Sequence, residues 1–337
     1  VSIGSRRIFL IKSCRIAARK YPLPPHGNPE AEMVDYRVIA SGLLFPEGPV
    51  AMPDGSVVLV EIVGGKLSRI RPDGTKEIIA NTGGGPNGAA IGPDGKCYLC
   101  NNGGVTSTRV ADWVVPGEFP DHCPGGLIQR VDLATGRVES LYTHVGDVEL
   151  SAPNDLVFDD QGGFWFTDFG QNRARSRARG GIYYAKADGS FIEEAVFPLE
   201  SPNGIGVSPD GKTVYVAETY SGNVWSFRLS APGKIDRSAG AYPNGGTLLG
   251  RAGPHWYLDS LAVDSAGNIC VAGAGRGGIL VFAPDGSTLE EISLPDPLTT
   301  NICFGGPDLR TAYVTGGTGQ LIAFEWPRPG LKLNYLG

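Results

Sequence analysis

The 337 residues include 50 glycines and 26 prolines, and 41% of the chain is hydrophobic. With no G-X-Y period, that composition excludes collagen and disorder and leaves a turn-rich, all-β protein with ample apolar surface for a core. The formal charge is −6, but residues 1–33 hold six basic residues against two acidic ones, so the remainder sets 23 basic against 33 acidic residues; a body that acidic repels phosphate backbones, and no nucleic-acid partner is expected.

In chain order, the leader comes first. Its apolar core, Ile8 to Ile11, is shorter than the roughly 7–15 residues of a signal peptide. Residues 1–33 therefore read as a disordered basic leader or a misplaced start, with a poorly matching export signal as the alternative, residues 34–337 as one domain, and the protein as cytoplasmic unless that signal exports it. No stretch of 18 apolar residues occurs anywhere, so no membrane partner is expected.

Beyond the leader one pattern returns six times: a polar residue, a short apolar run, a turn, and a second apolar run. The copies are EGPVAMPDGSVVLVE from Glu47, NGAAIGPDGKCYLCN from Asn87, NDLVFDDQGGFWFTD from Asn154, NGIGVSPDGKTVYVAE from Asn203, DSLAVDSAGNICVAG from Asp259 and NICFGGPDLRTAYVT from Asn301. In five of them a glycine stands eight residues after the polar head (Gly55, Gly95, Gly162, Gly211, Gly267), and the sixth has Leu309 there. Each copy predicts a β-hairpin, because β-branched and aromatic runs flank a turn whose glycine tolerates a positive φ. Third apolar runs follow each hairpin and fourth runs follow most, at intervals of 40, 67, 49, 56 and 42 residues. Four strands per repeat at such spacing predict the blades of a six-bladed β-propeller with four-stranded antiparallel blades. The last blade runs out of chain after its third strand, and the orphan run Tyr36 to Ala40 is the expected closing strand.

Two features interrupt the repeat. The long second interval contains an insertion, about Val105 to Pro124, bearing Trp113, Phe119 and His122; it reads as a binding loop shaping access or as a surface excursion. Cys97 and Cys100 form a CxxC, but in a strand positions three apart face opposite ways, so they read as buried thiols and not as zinc ligands.

In a propeller the first strand of each blade lines the axis, so the six polar heads Glu47, Asn87, Asn154, Asn203, Asp259 and Asn301 predict a ring at one tunnel mouth. An Asn before Gly is also a common turn pair. Glu47 and Asp259 occupy the same repeat position, however, and a buried carboxylate needs a positive partner. An all-oxygen donor set suits calcium or magnesium better than zinc or copper. The hairpins return to the same end at Glu61, Asn101, Asp168 and Glu218, which read either as pocket groups behind the ring or as solvated strand ends. His255, four residues before Asp259, reads as a group lining the mouth or as a packed histidine.

On EGPV, PNDLVFDDQGGFWFTD, SPNGIGVSPDGKTVYV, LDSLAVDSAGN and TTNICFGG, which fall in family order across residues 35–326, the sequence resembles the senescence-marker-protein/gluconolactonase family of regucalcin-like lactonases, whose relatives include diisopropyl fluorophosphatase. The resemblance implies one divalent cation bound by Glu47, Asn203 and Asp259, with Asn154 as a further ligand or a substrate contact. It also implies hydrolysis of a lactone or similar ester. The expected cation is calcium, with magnesium, manganese or zinc as alternatives; Asp259 is the expected catalytic group, and Asn87, Asn154 and His255 the expected substrate contacts. Sugar-lactone members tend to carry an arginine where this chain has Ala152, and the usual PDG of the fifth blade is replaced by Leu258, Asp259 and Ser260. The alternatives are a phosphotriester hydrolase on the same metal site and a non-catalytic calcium-binding propeller.

Overall fold

The computed structural model describes residues 34–110 and 113–336; the predicted leader, residues 1–33, lies outside the described residues. The described residues contain no helix and fold into six main antiparallel sheets, one for each sequence repeat. From the axis outward, blade 1 is Pro46–Ala51, Val57–Glu61, Lys66–Ile70 and Lys76–Asn81. The innermost strands of blades 2 to 6 are Pro86–Ile91, Pro153–Phe158, Pro202–Val207, Tyr257–Val263 and Thr299–Gly305. Blade 4 departs from the simple pattern: its third strand, Asn223–Ala231, pairs with Gly246–Arg251 as fourth strand and, past that, with the short Lys234–Ile235.

Closure follows the sequence reading. Tyr36–Ala40 pairs antiparallel with Gln320–Glu325, Tyr36 opposite Phe324, and completes blade 6 as its outermost strand. One blade thus joins the two ends of the propeller, and no inner sheet edge stays open.

Each blade is too thin to own a core, and the apolar clusters lie between neighbours. Tyr98, Ile128 and Phe164 pack between blades 2 and 3, and Leu43, Leu59, Tyr313 and Leu321 between blades 6 and 1. Cys97 and Cys100 point into different clusters, Cys97 toward blade 1 and Cys100 toward blade 3, and burial pushes the Cys97 thiol up to about 12. The turn position after each hairpin's first strand has positive φ in all six blades: Gly55, Gly95, Gly162, Gly211 and Gly267 between 68° and 85°, and Leu309 at 58°. The sixth repeat keeps this geometry without glycine, a conformation that costs a branched residue about 1 kcal/mol.

The insertion projects from the end of the propeller where innermost strands begin. It forms a hairpin, Ser107–Val110 with Trp113–Pro116, and docks on blade 3 through Phe119 N donating to Asn172 O (2.9 Å) and Arg173 donating to Asp121 O (2.7 Å). Phe119 is buried; the side chain of Trp113 lies outside the described residues. At the opposite end the C-terminal segment runs from blade 5 to blade 3. Leu331 N donates to Val263 O, Asn334 to Phe158 O, and Gly162 N to the Tyr335 hydroxyl, tying the tail to blades 5 and 3. It borders a cavity of about 510 Å³ that reaches inward to Asp155 and Asn301. No helix among the described residues is long and apolar enough to cross a membrane.

Candidate functional site

The polar heads gather because every innermost strand is bulged where they stand. Pairing breaks between Glu47 and Val50, Pro86 and Ala89, Pro153 and Leu156, Pro202 and Ile205, Leu258 and Leu261, and Thr299 and Asn301. Each break sets one extra residue on the inner strand; Asn87, Asn154, Asn203 and Asp259 stand inside it, out of the ladder, whereas Glu47 and Asn301 stand at its edge, opposite Val60 and Thr315. Close approach of neighbouring blades then restricts the next position. A Cβ on Gly48 would fall 2.6 Å from Asn87 O, one on Gly88 2.7 Å from Asn154 O, and one on Gly204 2.8 Å from Asp259 O. In blade 3 that position is Asp155.

The six heads differ in how their polar atoms are used. Glu47, 2% exposed, accepts from Gly48 N and from Asn301 Nδ2, both at 2.8 Å. Asn301 Oδ1 accepts from Ile302 N (2.7 Å), so this amide is engaged at both ends. Asn203 Nδ2 donates to Asp259 Oδ1 (2.8 Å) and to Thr219 Oγ1 (3.1 Å). Asn154 Oδ1 is buried with no hydrogen-bond partner among the described residues, and Asn87 is buried beside it in the ring. Asp259 is less buried than the five other heads, which are all nearly inaccessible.

Charge is concentrated and unanswered here. Burial pushes Glu47 well above the usual carboxylate range, and the charges of Asp259 and Asp155 push it further. Burial raises Asp259 to about 7 against the Asn203 hydrogen bond, with Asp155 adding to the rise. Asp155 is also raised to about 7 by burial, although it accepts from Leu156 N (2.9 Å). Among the described residues none of these three acids forms an ion pair with a lysine, arginine or histidine, whereas buried Glu61 and Asp264 do. Among the described residues no three His, Cys, Asp or Glu side chains converge as a ready metal cluster. The donor set is instead two ring carboxylates and amide oxygens. An orphaned amide oxygen beside uncompensated buried acids fits a hard divalent cation.

The hairpin-return residues behave differently. Glu61 accepts from Leu44 N (2.9 Å), Ser68 Oγ (2.7 Å) and Lys76 Nζ (3.1 Å). Asp168 takes the N–H groups of Ser151, Ala152 and Gly170 at 2.7–3.0 Å. Glu218 accepts from Glu200 N, and Asn101 from Gly85 N and Gly103 N. All four are buried and hold the loop that leads into the innermost strand. They are neither solvated strand ends nor ligands facing the axis. His255 is exposed, at φ 69° in the turn before Tyr257–Val263, at the same end of the propeller as the ring.

Residues 45–318 match the family described as SMP-30/gluconolactonase/LRE-like region. The chain belongs to this family. Lactonase drp35 of Staphylococcus saprophyticus is 29% identical over 279 residues, covering 81% of this chain and 78% of that protein. The gluconolactonase of Zymomonas mobilis is 28% identical over 301 residues, covering 80% of this chain and 75% of that protein. Among solved structures, a gluconolactonase of Xanthomonas campestris has a TM-score of 0.69 at 24% identity, covering 90% of this chain and 93% of its own. Regucalcin of Agrobacterium tumefaciens, described as a calcium-binding protein, has a TM-score of 0.64 at 20% identity, covering 89% and 98%. Both structural likenesses show the shared six-bladed fold.

For a member of this family, the SMP-30/gluconolactonase chain carries one group at the ring that sequence reasoning passed over. Asp155 follows a polar head, where three other blades need glycine, and its carboxyl sits between blades 3 and 4 within reach of Ile205 N. Its only sequence signal was PND standing where two of the other repeats read PNG. Ala152, at the position where an arginine was expected for sugar lactones, is buried and donates its N–H to Asp168 (2.8 Å).

Proposed function

We propose that this protein is a divalent-metal-dependent hydrolase that opens a lactone or similar cyclic ester at the ring mouth of its tunnel. The observation that carries the reading is the buried, partnerless Asn154 Oδ1 beside the uncompensated acids Glu47, Asp155 and Asp259. Glu47, Asn154, Asn203 and Asp259 would hold the cation, calcium first, because all four offer oxygen. When bound, the cation supplies a Lewis acid that polarises the ester carbonyl and stabilises negative charge on its oxygen.

The chain's own residues do the rest. Asn203 orients the Asp259 carboxylate through the 2.8 Å bond to Oδ1. Asp259, the most accessible head, takes the proton of the attacking water and returns it to the departing alkoxide. Asn301 and Gly48 N fix the Glu47 carboxylate, and the tail at the far end leaves the ring end as the substrate's entrance. Asn87, Asn154 and His255 are the proposed substrate contacts.

The test is hydrolysis of a panel of γ- and δ-lactones by chelated protein titrated with calcium. Activity should vanish in chelator, return with calcium, and fall by roughly 10² to 10⁴ in Asp259→Asn even at saturating metal. Chelator-insensitive turnover, preference for phosphotriesters over every lactone, or metal binding with no turnover of any ester would each overturn the reading.

A further inference from the structure

Asn203 is gripped from three blades. Its backbone carbonyl accepts from Thr167 Oγ1 of blade 3 (2.5 Å), its amide nitrogen donates to Asp259 Oδ1 of blade 5 (2.8 Å), and the same nitrogen donates to Thr219 Oγ1 of its own blade (3.1 Å). A primary amide has two N–H groups and one oxygen, so with both N–H groups engaged the oxygen is the end left to serve a ligand. Ser260 Oγ stands 3.4 Å from that oxygen, too far for a strong hydrogen bond. Turning the amide over would set its oxygen against the Asp259 carboxylate.

The repeat explains why a threonine can reach this amide. In blades 1 to 4 the residue after the second strand donates its N–H to the carbonyl two residues before the polar head: Ile62 to Phe45 (3.1 Å), Asn102 to Gly85 (3.0 Å), Phe169 to Ala152 (2.9 Å) and Thr219 to Ser201 (3.1 Å). Four side chains thus occupy one place in the repeat. Ile62 and Phe169 have no atom to accept an amide proton, and Asn102 Oδ1 accepts from Gly104 N (2.9 Å). Among the described residues, Thr219 alone of the four bonds its own head. It is also firmly placed, because Glu218 before it accepts from Glu200 N (2.7 Å) and Ser221 Oγ (2.6 Å). The other asparagine heads show what is at stake. Asn301 is turned with its nitrogen to Glu47 and its oxygen to Ile302 N, so its oxygen is already engaged. The orientation of the amide decides whether an asparagine head presents oxygen or nitrogen.

We propose that Thr219 is a positioning residue for the cation: its hydroxyl, by accepting the second N–H of Asn203, holds the amide with Oδ1 as the ligand-presenting end. This rests on the metal-dependent reading of the ring. Asp259 is shared between the amide and the cation, whereas Thr219 serves the amide alone. Without the hydroxyl the amide must be ordered at the moment of binding, and the loss appears in cation affinity.

The experiment is a calorimetric titration of the calcium-free full chain with calcium, comparing the unmutated protein with Thr219→Val and Thr219→Ser. Valine keeps the shape and deletes the acceptor, so Kd should rise about 5- to 20-fold, while serine, which keeps the hydroxyl, should stay within about twofold. Thr219→Ala, equally without an acceptor, should match valine and carries the comparison if valine does not fold. Denaturant melts in chelator separate affinity from folding: lower chelated stability with an unchanged Kd makes Thr219 merely structural and overturns the proposal. In lactone turnover the valine variant should need more calcium for half-maximal activity and recover its kcat at saturating calcium. A kcat that stays low there, with Kd unchanged, places the hydroxyl on the substrate and overturns the positioning role. Calcium affinities in the expected order without turnover of any lactone support Thr219 and sink the lactonase reading alone; no calcium binding by the unmutated protein sinks both.

Discussion

Two sets of acids stand on adjacent strands at one end of the tunnel, and the fold treats them in opposite ways. Glu61, Asp168 and Glu218 end second strands, and both oxygens of each carboxylate accept N–H or O–H bonds. Glu47 and Asp259 stand on bulged first strands, take their amide bonds on one carboxylate oxygen each, and are raised further by neighbouring acids, Glu47 by Asp259 and Asp155 and Asp259 by Asp155. Burial is similar in kind; what differs is compensation. The satisfied set ties the loops that position the ring, and the unsatisfied set is the one left with capacity for a ligand.

The largest expected effect comes from inverting the roles. Asp259→Asn should cost roughly 10² to 10⁴ in turnover that calcium does not restore. In chelator the same variant should be more stable than the unmutated protein by about 1 to 3 kcal/mol, since one of three mutually repelling buried acids is gone. Lactone assays across a calcium titration, paired with denaturant melts in chelator, check both halves; a destabilised chelated variant would mean that Asp259 belongs with the structural set. Glu47→Gln should act chiefly through affinity and be rescued far better by excess calcium. Asn301→Ala, whose amide holds Glu47, should shift the calcium requirement in the same direction by a smaller amount, read from the metal concentration at half-maximal activity.

Asp168→Ala tests the satisfied set. Three buried N–H groups lose their acceptor, so stability should drop by about 3 to 5 kcal/mol while turnover per folded molecule is kept. Urea melts with activity normalised to the folded fraction give the comparison; a variant that folds normally but is inactive would move Asp168 into the reacting group.

Calcium itself should stabilise only through the unsatisfied ring. At a hundredfold excess over Kd the protein should gain about 3 kcal/mol, seen as a rise in Tm that Glu47→Gln reduces and Glu61→Gln leaves alone. An equal calcium response in the Glu47 variant would break the assignment of the ring.

The smallest effect concerns pH. Burial alone would raise Glu61, but its bonds from Ser68, Leu44 N and Lys76 outweigh that and hold it below its usual 4.5. A depressed carboxylate contributes stability above its unfolded pKa and loses it as pH falls through the folded value. Melts from pH 6 down to pH 3 should therefore show a steeper acid loss in the unmutated protein than in Glu61→Gln, with a difference of about 1 kcal/mol. Superimposable acid limbs would show that Glu61 is not held by its partners.

Much of this architecture is written locally in the chain. Six copies of one hairpin pattern, each with its turn glycine or, at Leu309, a residue forced into the same conformation, determine the number of blades and the direction of their strands. The polar heads fall into a ring because their repeat phase is fixed by strand periodicity, and Tyr36–Ala40 had to close the last blade because no other β-run was left unpaired. What the sequence could not decide is which heads are free. Asn154 and Asn301 occupy the same repeat position, yet the Asn154 amide oxygen is orphaned while the Asn301 amide donates its nitrogen to Glu47, 254 residues away, with its oxygen accepting from Ile302 N. Asp259 is oriented by Asn203, 56 residues away, and Asp155 comes within range of both ring carboxylates only when blades 3, 4, 5 and 1 surround the axis. Hydrogen-bond satisfaction and desolvation depend on neighbours supplied by other blades. Local pattern therefore fixed where each residue stands, and the closed ring alone decided what charge, partner and solvent each one meets.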